Sequence, residues 1–237
     1  MNPTSLTAIE SFLPEILGYP IFQGFPREAI LQLLSEGRYR STSHRQNLYQ
    51  AGEAADSFAL VLRGAYKLVR PSPLGDDVIV YFSCPGDVIG ALLMPQPSSS
   101  YPVTVVSMGP SGVWSIPRRT YLSYWSKNPE IVLRMQSLLY HRMSLLQDEK
   151  MRQKSPNSQK VAHLLIQLME KYSGEFNDEG VLPIPITRKE IADAIGSTPE
   201  SVIRIMSDWS HQGIIRTTDH HIEILKTASI VKLLQDS

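Results

Sequence analysis

The chain has 237 residues, 42% of them apolar, with 23 Lys/Arg against 23 Asp/Glu and a formal net charge of zero. That length and apolar content suit one or two packed domains, and the charge balance offers no global attraction to nucleic acid. The single Cys84 excludes an internal disulfide and an iron–sulfur cluster held by four cysteines of one chain. No apolar run is long enough to span a membrane, and the start MNPTSLTAIE lacks a signal-peptide layout, so a cytoplasmic protein is expected.

Residues from about Leu6 to Glu36 read as helical pieces. Tyr19–Phe25 is an apolar link, and a helix runs from Pro26 to Glu36. From Arg38 to Ile116 the pattern changes to short alternating strands punctuated by Gly, Pro and Asp, the pattern of a sandwich or jelly roll. The strands fall near Arg38–Thr42, Asn47–Gln50, Ser57–Arg63, Ala65–Val69, Asp77–Phe82, Val88–Ile89, Val103–Met108 and Gly112–Pro117. Gly52-Glu53, Gly64, Gly75-Asp76 and Pro85-Gly86-Asp87 supply turns. Cys84, beside Pro85 and without a basic neighbour, reads as a small buried hydrophobe rather than a redox switch.

A long helix follows from Asn128-Pro129 to Lys154. Val132, Met135, Leu139, Met143 and Leu146 recur at spacings of three and four, a seam suited to a parallel partner helix, while Ile131, Leu138 and Leu145 suit packing on the strands. Ser155-Pro156-Asn157 breaks it. A helix from Ser158 to Tyr172, a polar loop Ser173–Gly180 and a short strand Leu182–Ile186 come next.

The most informative stretch is TRKEIADAIGSTPESVIRIMSDWSHQG, from Thr187. Thr187 with Glu190 forms a capping box. Ile191, Ala194 and Ile195 share one helical face, and Gly196 stops the helix because it takes the left-handed conformation at no steric cost. Thr198 caps a second helix, with Pro199 at its first position, where no N–H is needed. Val202, Ile205, Met206 and Trp209 form its apolar stripe; Glu200, Ser201, Arg204 and Asp208 lie opposite. This is a helix-turn-helix whose second helix can enter a major groove. Arg204 suits guanine O6/N7 and Glu200 accepts from cytosine N4, so one G·C pair is read from both sides; the alternative is an exposed i,i+4 ion pair. Ile214–Arg216, a turn, and His221–Leu225 read as a wing, with Arg216, His220 and His221 near phosphates. A last helix covers Thr227–Leu234. From Asn157 onward eight Lys/Arg face eleven Asp/Glu, a net of −3, so DNA affinity has to rest on a local cluster and on dimerisation.

The helix-turn-helix stretch resembles the DNA-binding domain of the catabolite-activator/fumarate-nitrate-regulator (CRP/FNR) superfamily. The runs QAGEAADSF (50–58), LRGAYKL (62–68) and PGDVIG (85–90) are similar to milestones of its sensor barrel. The resemblance covers nearly the whole chain. It implies an α+β protein: a cyclic-nucleotide-binding-like β-barrel (jelly roll) with flanking helices over 1–127, a dimerisation helix over 128–155, and a winged helix-turn-helix over 156–237. It implies a homodimer on a pseudo-palindromic operator in double-stranded DNA, with RNA polymerase and a small-molecule effector as further partners. Glu200 and Arg204 become base readers; Thr187, Arg188, Thr198 and Ser201 match positions that approach the DNA backbone. Two positions depart from the pattern. Pro199 replaces a base-contacting Arg, and Ile203 replaces a Ser or Gly; an apolar Ile203 suits a thymine methyl.

The barrel also departs. Relatives that bind cyclic nucleotides carry a Glu after the glycine matching Gly90 and an Arg-Ser-Ala about ten residues on. Here Ala91 follows Gly90, and Tyr101-Pro102-Val103 occupies the second place. Without the Arg a phosphate loses its charge-assisted pair, so cAMP is not expected. Gly90, Ala91, Leu92, Tyr101, Pro102 and Val103 suggest an apolar effector pocket. No resident cofactor or metal is expected; haem is the open alternative, with only His44 and His141 near. No P-loop, nucleophile elbow or paired metal-ligand motif marks an enzyme. The competing reading is an interaction module of the same fold that has lost its effector or its DNA.

Overall fold

In the computed structural model, residues 9–71, 77–172, 180–182, 184–219 and 221–235 are described. The chain divides into two compact units, Met1–Arg70 with Phe82–Gln147, and Pro71–Tyr81 with Asp148–Ser237.

The first unit opens with α1 (Leu13–Gly18) and α2 (Arg27–Leu33). The expected strands follow: β1 (Arg38–Thr42), β2 (Asn47–Tyr49), β3 (Ser57–Arg63), β4 (Tyr66–Pro71), β5 (Asp77–Ser83), β6 (Val88–Ile89), β7 (Thr104–Ser107) and β8 (Ser111–Pro117), with residue 71 of β4 and residues 77–81 of β5 counted in the second unit. They form two four-stranded sheets, β1-β8-β3-β6 and β2-β7-β4-β5. The described pairings β1/β8, β3/β8, β3/β6, β2/β7 and β4/β7 are antiparallel. The turn Gly75-Asp76 and the start of the first helix at Leu6 lie outside the described residues.

Central β3 and β8 are buried on both faces, so Phe58–Leu62 reads as a continuous apolar run and not as an alternation. Phe58, Trp114 and Trp125 are fully buried in one cluster with Ile16 and Phe22 of the N-terminal segment. Trp114 Nε1 donates to the Leu34 carbonyl at 2.9 Å, which satisfies an acceptor just beyond α2. Cys84 is buried.

Helix α3 (Pro129–Met151) begins in the first unit, and the division between units falls after Gln147. Ile131 and Met135 join the core cluster, with Leu138 packed against it. Met135 was expected on the outward seam; the structure turns it inward. The outward apolar residues include Leu133 and Tyr140, which the seam had omitted, alongside Leu139, Met143 and Leu146.

The second unit holds α4 (Asn157–Tyr172), α5 (Arg188–Ile195), α6 (Pro199–His211), the hairpin of β9 (Ile215–Thr218) and β10 (His221–Ile224), and α7 (Thr227–Gln235). Val161, Leu165, Ile191, Val202, Met206, Trp209, Ile222 and Ile230 are buried within it. The expected strand Leu182–Ile186 is not formed by the described residues. Val181 makes an isolated bridge to Glu223, and Leu182 donates to the Ile222 carbonyl at 2.7 Å. Pro185 has no N–H to continue a ladder, and Pro183 lies outside the described residues.

Candidate nucleic-acid interface and sensor cavity

Local chemistry fixes the helix-turn-helix. Thr187 caps α5 by accepting from the Glu190 N–H, and the Glu190 carboxylate accepts the Thr187 N–H at 2.9 Å, closing the capping box. Gly196 ends α5 at φ 63°, where a residue with a Cβ is strained. Thr198 accepts from the Ser201 N–H and caps α6, with Pro199 first in the helix. Asn157 Nδ2, at the start of α4, donates to Ser197 Oγ at 2.8 Å. That bond ties the segment leaving the long helix to the turn before α6. Its two residues are forty apart, and nothing in the sequence pairs them. Nearby, Arg152 Nη1 donates to His163 Nε2 at 2.9 Å, and burial, with Arg152 second, lowers the His163 pKa.

Helix α6 buries Val202, Met206 and Trp209 and leaves Glu200, Ile203 and Arg204 exposed on one face. Lys189 and Asp193 close an i,i+4 ion pair at 2.8 Å on α5. Glu200 and Arg204 have the same spacing, yet among the described residues they form no such pair. Both therefore keep their hydrogen-bonding capacity for something else. Arg188 is turned toward the wing: its Nη2 donates to Thr217 Oγ1 at 3.0 Å, and partial burial lowers its pKa. In the wing, Arg216 lies opposite Glu223 and pairs with it at 3.3 Å, its own side chain still largely exposed. His221 Nδ1 lies 3.1 Å from the Asp219 carbonyl. His220, named from the sequence, lies outside the described residues. Lys226 Nζ donates to the Gln212 carbonyl at 2.9 Å, where the carbonyls at the end of α6 favour a cation.

In the first unit, Gly90, Ala91, Leu92, Tyr101, Pro102 and Val103 all line one cavity of about 170 Å³. Met135, Leu138, Leu139 and Arg142 of α3 complete it, a contribution the sequence reading missed. Arg142 follows Leu138 and Leu139 by four and three residues, the spacing of one helix face, which was the available signal. It is the one charged residue in the lining. Its Nη2 donates to the Val88 carbonyl at 3.3 Å and stands 4.0 Å from the Asp87 carboxylate. Gly90, at φ 83°, starts the turn over the cavity; a Cβ there would come within 3.4 Å of the Tyr101 ring. Tyr101 stacks on Tyr49 with centroids 4.2 Å apart and donates to the Ser57 carbonyl at 2.6 Å. Burial pushes both phenols above their ordinary pKa, so they remain neutral donors.

The lining has no carboxylate for a ribose and no arginine at the Arg-Ser-Ala place, so these residues do not fit a cyclic nucleotide in its usual mode. Neither His44 nor His141 lines the cavity, so they do not fit haem there; His44 instead meets the Met108 carbonyl at 2.9 Å. Among the described residues no His/Cys/Asp/Glu group is placed to hold a metal, and no helix is long and apolar enough to cross a membrane.

Residues 39–128 match the family model for a cyclic nucleotide-binding domain, and residues 159–233 match that for a Crp-like helix-turn-helix domain. The transcriptional activatory protein AadR of Rhodopseudomonas palustris is 25% identical over 182 residues, 76% of this chain and 74% of that protein. The nitrogen fixation regulation protein FixK of Bradyrhizobium diazoefficiens is 25% identical over 198 residues, 83% of this chain and 82% of that one. The structure of FixK2 from Bradyrhizobium japonicum superposes with a TM-score of 0.71 at 20% identity, covering 83% of this chain and 96% of that one.

Proposed function

The chain belongs to the CRP/FNR family of DNA-binding transcription regulators, and from that premise we propose that it acts as a cytoplasmic homodimer on a pseudo-palindromic operator, not as an enzyme. The observation that carries this reading is the free Glu200–Arg204 pair on the exposed face of α6. With α6 in a major groove, Arg204 donates to guanine O6 and N7 while Glu200 accepts from N4 of the paired cytosine. Thr198, Pro199 and Ser201 at the start of α6 and Thr187 at the start of α5 approach the DNA in this reading, Arg188 braces the wing, and His220 is a further phosphate contact named from the sequence. RNA polymerase is the further partner, and run-off transcription from an operator-bearing template measures that coupling.

Sequence selection from random duplex DNA tests the reading. The folded chain is expected to recover an inverted repeat with one fixed G·C pair per half-site. Arg204→Ala is expected to weaken binding by about 1–3 kcal/mol and to relax that pair. An unchanged preference in the variant removes Arg204 as a reader. Recovery of nothing by the folded wild type favours the other reading, an interaction module of the same fold, which the −3 balance of the C-terminal part supports.

The cavity takes a small apolar effector in this scheme. A dry cavity of roughly 150 Å³ accommodates benzene, and sites for drug-sized ligands run from roughly 300 Å³ upward. The value here, about 170 Å³, therefore suits one ring or a short chain, smaller than a nucleotide or haem. Indole is expected to raise the melting temperature of the first unit through binding to the folded state, and Val103→Trp to abolish the rise. A rise with cAMP and none with indole would reverse the assignment.

A further inference from the structure

The segment that leaves α3 is short. A 3-10 turn, Arg152–Lys154, closes the helix, Ser155 is extended at φ −68° and ψ 153°, and α4 begins at Asn157. Ser155 is extended because Pro156 follows it, and Pro156 has no N–H, so the backbone ladder is interrupted between the two helices. Such a joint pivots unless side chains hold it.

Two side-chain bonds do so, both within the second unit. Arg152, before the joint, donates through Nη1 to Nε2 of His163, farther along α4, at 2.9 Å. Asn157, just after the joint, donates to Ser197 Oγ in the turn before α6 at 2.8 Å. In series they run from the end of α3, through α4, to the start of the recognition helix. The first of them spans the joint.

That first bond also depends on a proton. Nε2 accepts from a guanidinium only while the ring is neutral, with its proton on Nδ1; a protonated ring has donors on both nitrogens and sets one cation against another. Burial lowers the His163 pKa below its ordinary value, Arg152 adds to the effect, and Asp148, a turn earlier on α3, opposes it. Lys160 and Glu170 stand three and seven residues from His163 on the same face of α4. Helices α5, α6 and α7, which also pack against α4, supply neither of the charges that act on the ring.

We propose that His163 is a positioning residue whose bond to Arg152 locks the joint between α3 and α4, and with it the spacing of the two recognition helices, and that protonation of His163 unlocks it. The locked form binds the proton less readily than the open one. It is therefore fully held above the ordinary histidine range and lost as pH falls through the lowered value. This rests on the reading of the protein as a homodimer on an inverted repeat, and the measurements are chosen so that the two can fail separately.

The full chain is titrated with the inverted-repeat operator recovered by selection, from about pH 8 to about pH 5. The same operator with one base pair more, or one fewer, between its half-sites is titrated beside it. His163→Gln is the reference: it keeps an acceptor that no proton removes, and the other histidines of the chain are common to both proteins. Relative to it, the wild type is expected to lose about three- to tenfold in operator affinity on acidification, the worth of one hydrogen bond, and to lose its preference for the selected spacing in step. Arg152→Met is expected to show the acid behaviour already at the upper pH, and Arg152→Lys to retain part of the wild-type preference. In the free protein, the ring NMR signals of His163 are expected to titrate below the ordinary histidine range and to move up toward it in Arg152→Met. Melting temperatures of the variants at the upper pH separate an open joint from a lost fold.

A wild type that follows His163→Gln at every pH and every spacing, with the operator still bound, would overturn the lock and leave the operator reading standing. An unchanged His163 titration in Arg152→Met would also overturn it, and an acid loss of affinity with the spacing preference kept would deny His163 its positioning role. Absence of any inverted-repeat preference at the upper pH, in wild type and His163→Gln alike, would bring down both.

Discussion

Trp125→Ala is expected to destabilise the first unit by about 3–5 kcal/mol, the range for truncating a fully buried aromatic. Trp125 has no exposed surface and lies among three other rings. It meets Phe58 edge-on at 4.9 Å and Phe22 edge-on at 5.9 Å, and stacks with Tyr121 at 6.4 Å. Its Nε1 donates at 2.6 Å to the carbonyl of Leu33, the last residue of α2, which has no partner within its own helix. Truncation thus opens a cavity and also orphans a buried acceptor. Trp125→Phe separates the two, because it retains most of the volume and removes only the donor; it is expected to cost less than half as much. Urea unfolding of the full chain measures both, read on the transition of the first unit, since two units need not unfold as one. A cost for Trp125→Ala below about 1 kcal/mol would show that this ring cluster does not hold the first unit together.

The fold was legible where local chemistry and tertiary structure agree. Turn residues such as Pro85-Gly86-Asp87 and Gly64 bracket strands whose order needs no long-range information, and the observed spans match the expected ones to within two residues. Thr187, Gly196, Thr198 and Pro199 specify both ends of α5 and the start of α6 through contacts at most five residues long, so those three boundaries were readable to the residue, whereas α6 ends at His211, two residues before the Gly213 expected to close it. The long helix was harder. Its apolar residues occupy more than one face, and a period alone does not say which face meets the strands and which is left outside. Met135 lines the cavity together with β6 and the turn after it, while Leu133 and Tyr140 are left exposed. Arg142 beside Asp87 and Asn157 beside Ser197 were invisible for a similar reason: each joins residues at least forty apart through side chains that are unremarkable in their own segments. The same holds for Leu182, whose bond to the Ile222 carbonyl mimics a strand that proline prevents.

Met143→Glu combined with Leu146→Glu is expected to convert the protein from dimer to monomer and to lower operator affinity by about two to four orders of magnitude. Tyr140 is 76% exposed, Met143 51% and Leu146 53%, with Leu133 and Leu139 also outward on α3. These five large apolar side chains exceed the scattered exposure of an ordinary surface, and Leu133–Tyr140 and Leu139–Leu146 at seven residues, Leu139–Met143 at four, and Tyr140–Met143 and Met143–Leu146 at three put them along one side of α3. In the proposed homodimer a second copy of the same stripe, related by a two-fold axis, would cover it without any further partner. Neither Met143 nor Leu146 lines the cavity, so the double substitution leaves the cavity lining untouched. Two carboxylates placed in the seam lose water on association and face two more across the axis, which opposes dimerisation through both desolvation and repulsion. The size of the DNA effect follows from linkage: two recognition helices held together bind the second half-site at a high effective concentration, and a monomer loses that advantage entirely. Sedimentation equilibrium and operator titration on the same samples check the two halves of the argument. A double variant that stays dimeric would place the interface elsewhere on the chain. A monomeric variant with unchanged operator affinity would instead mean that a single α6 suffices, and the pseudo-palindrome would then have no role in binding.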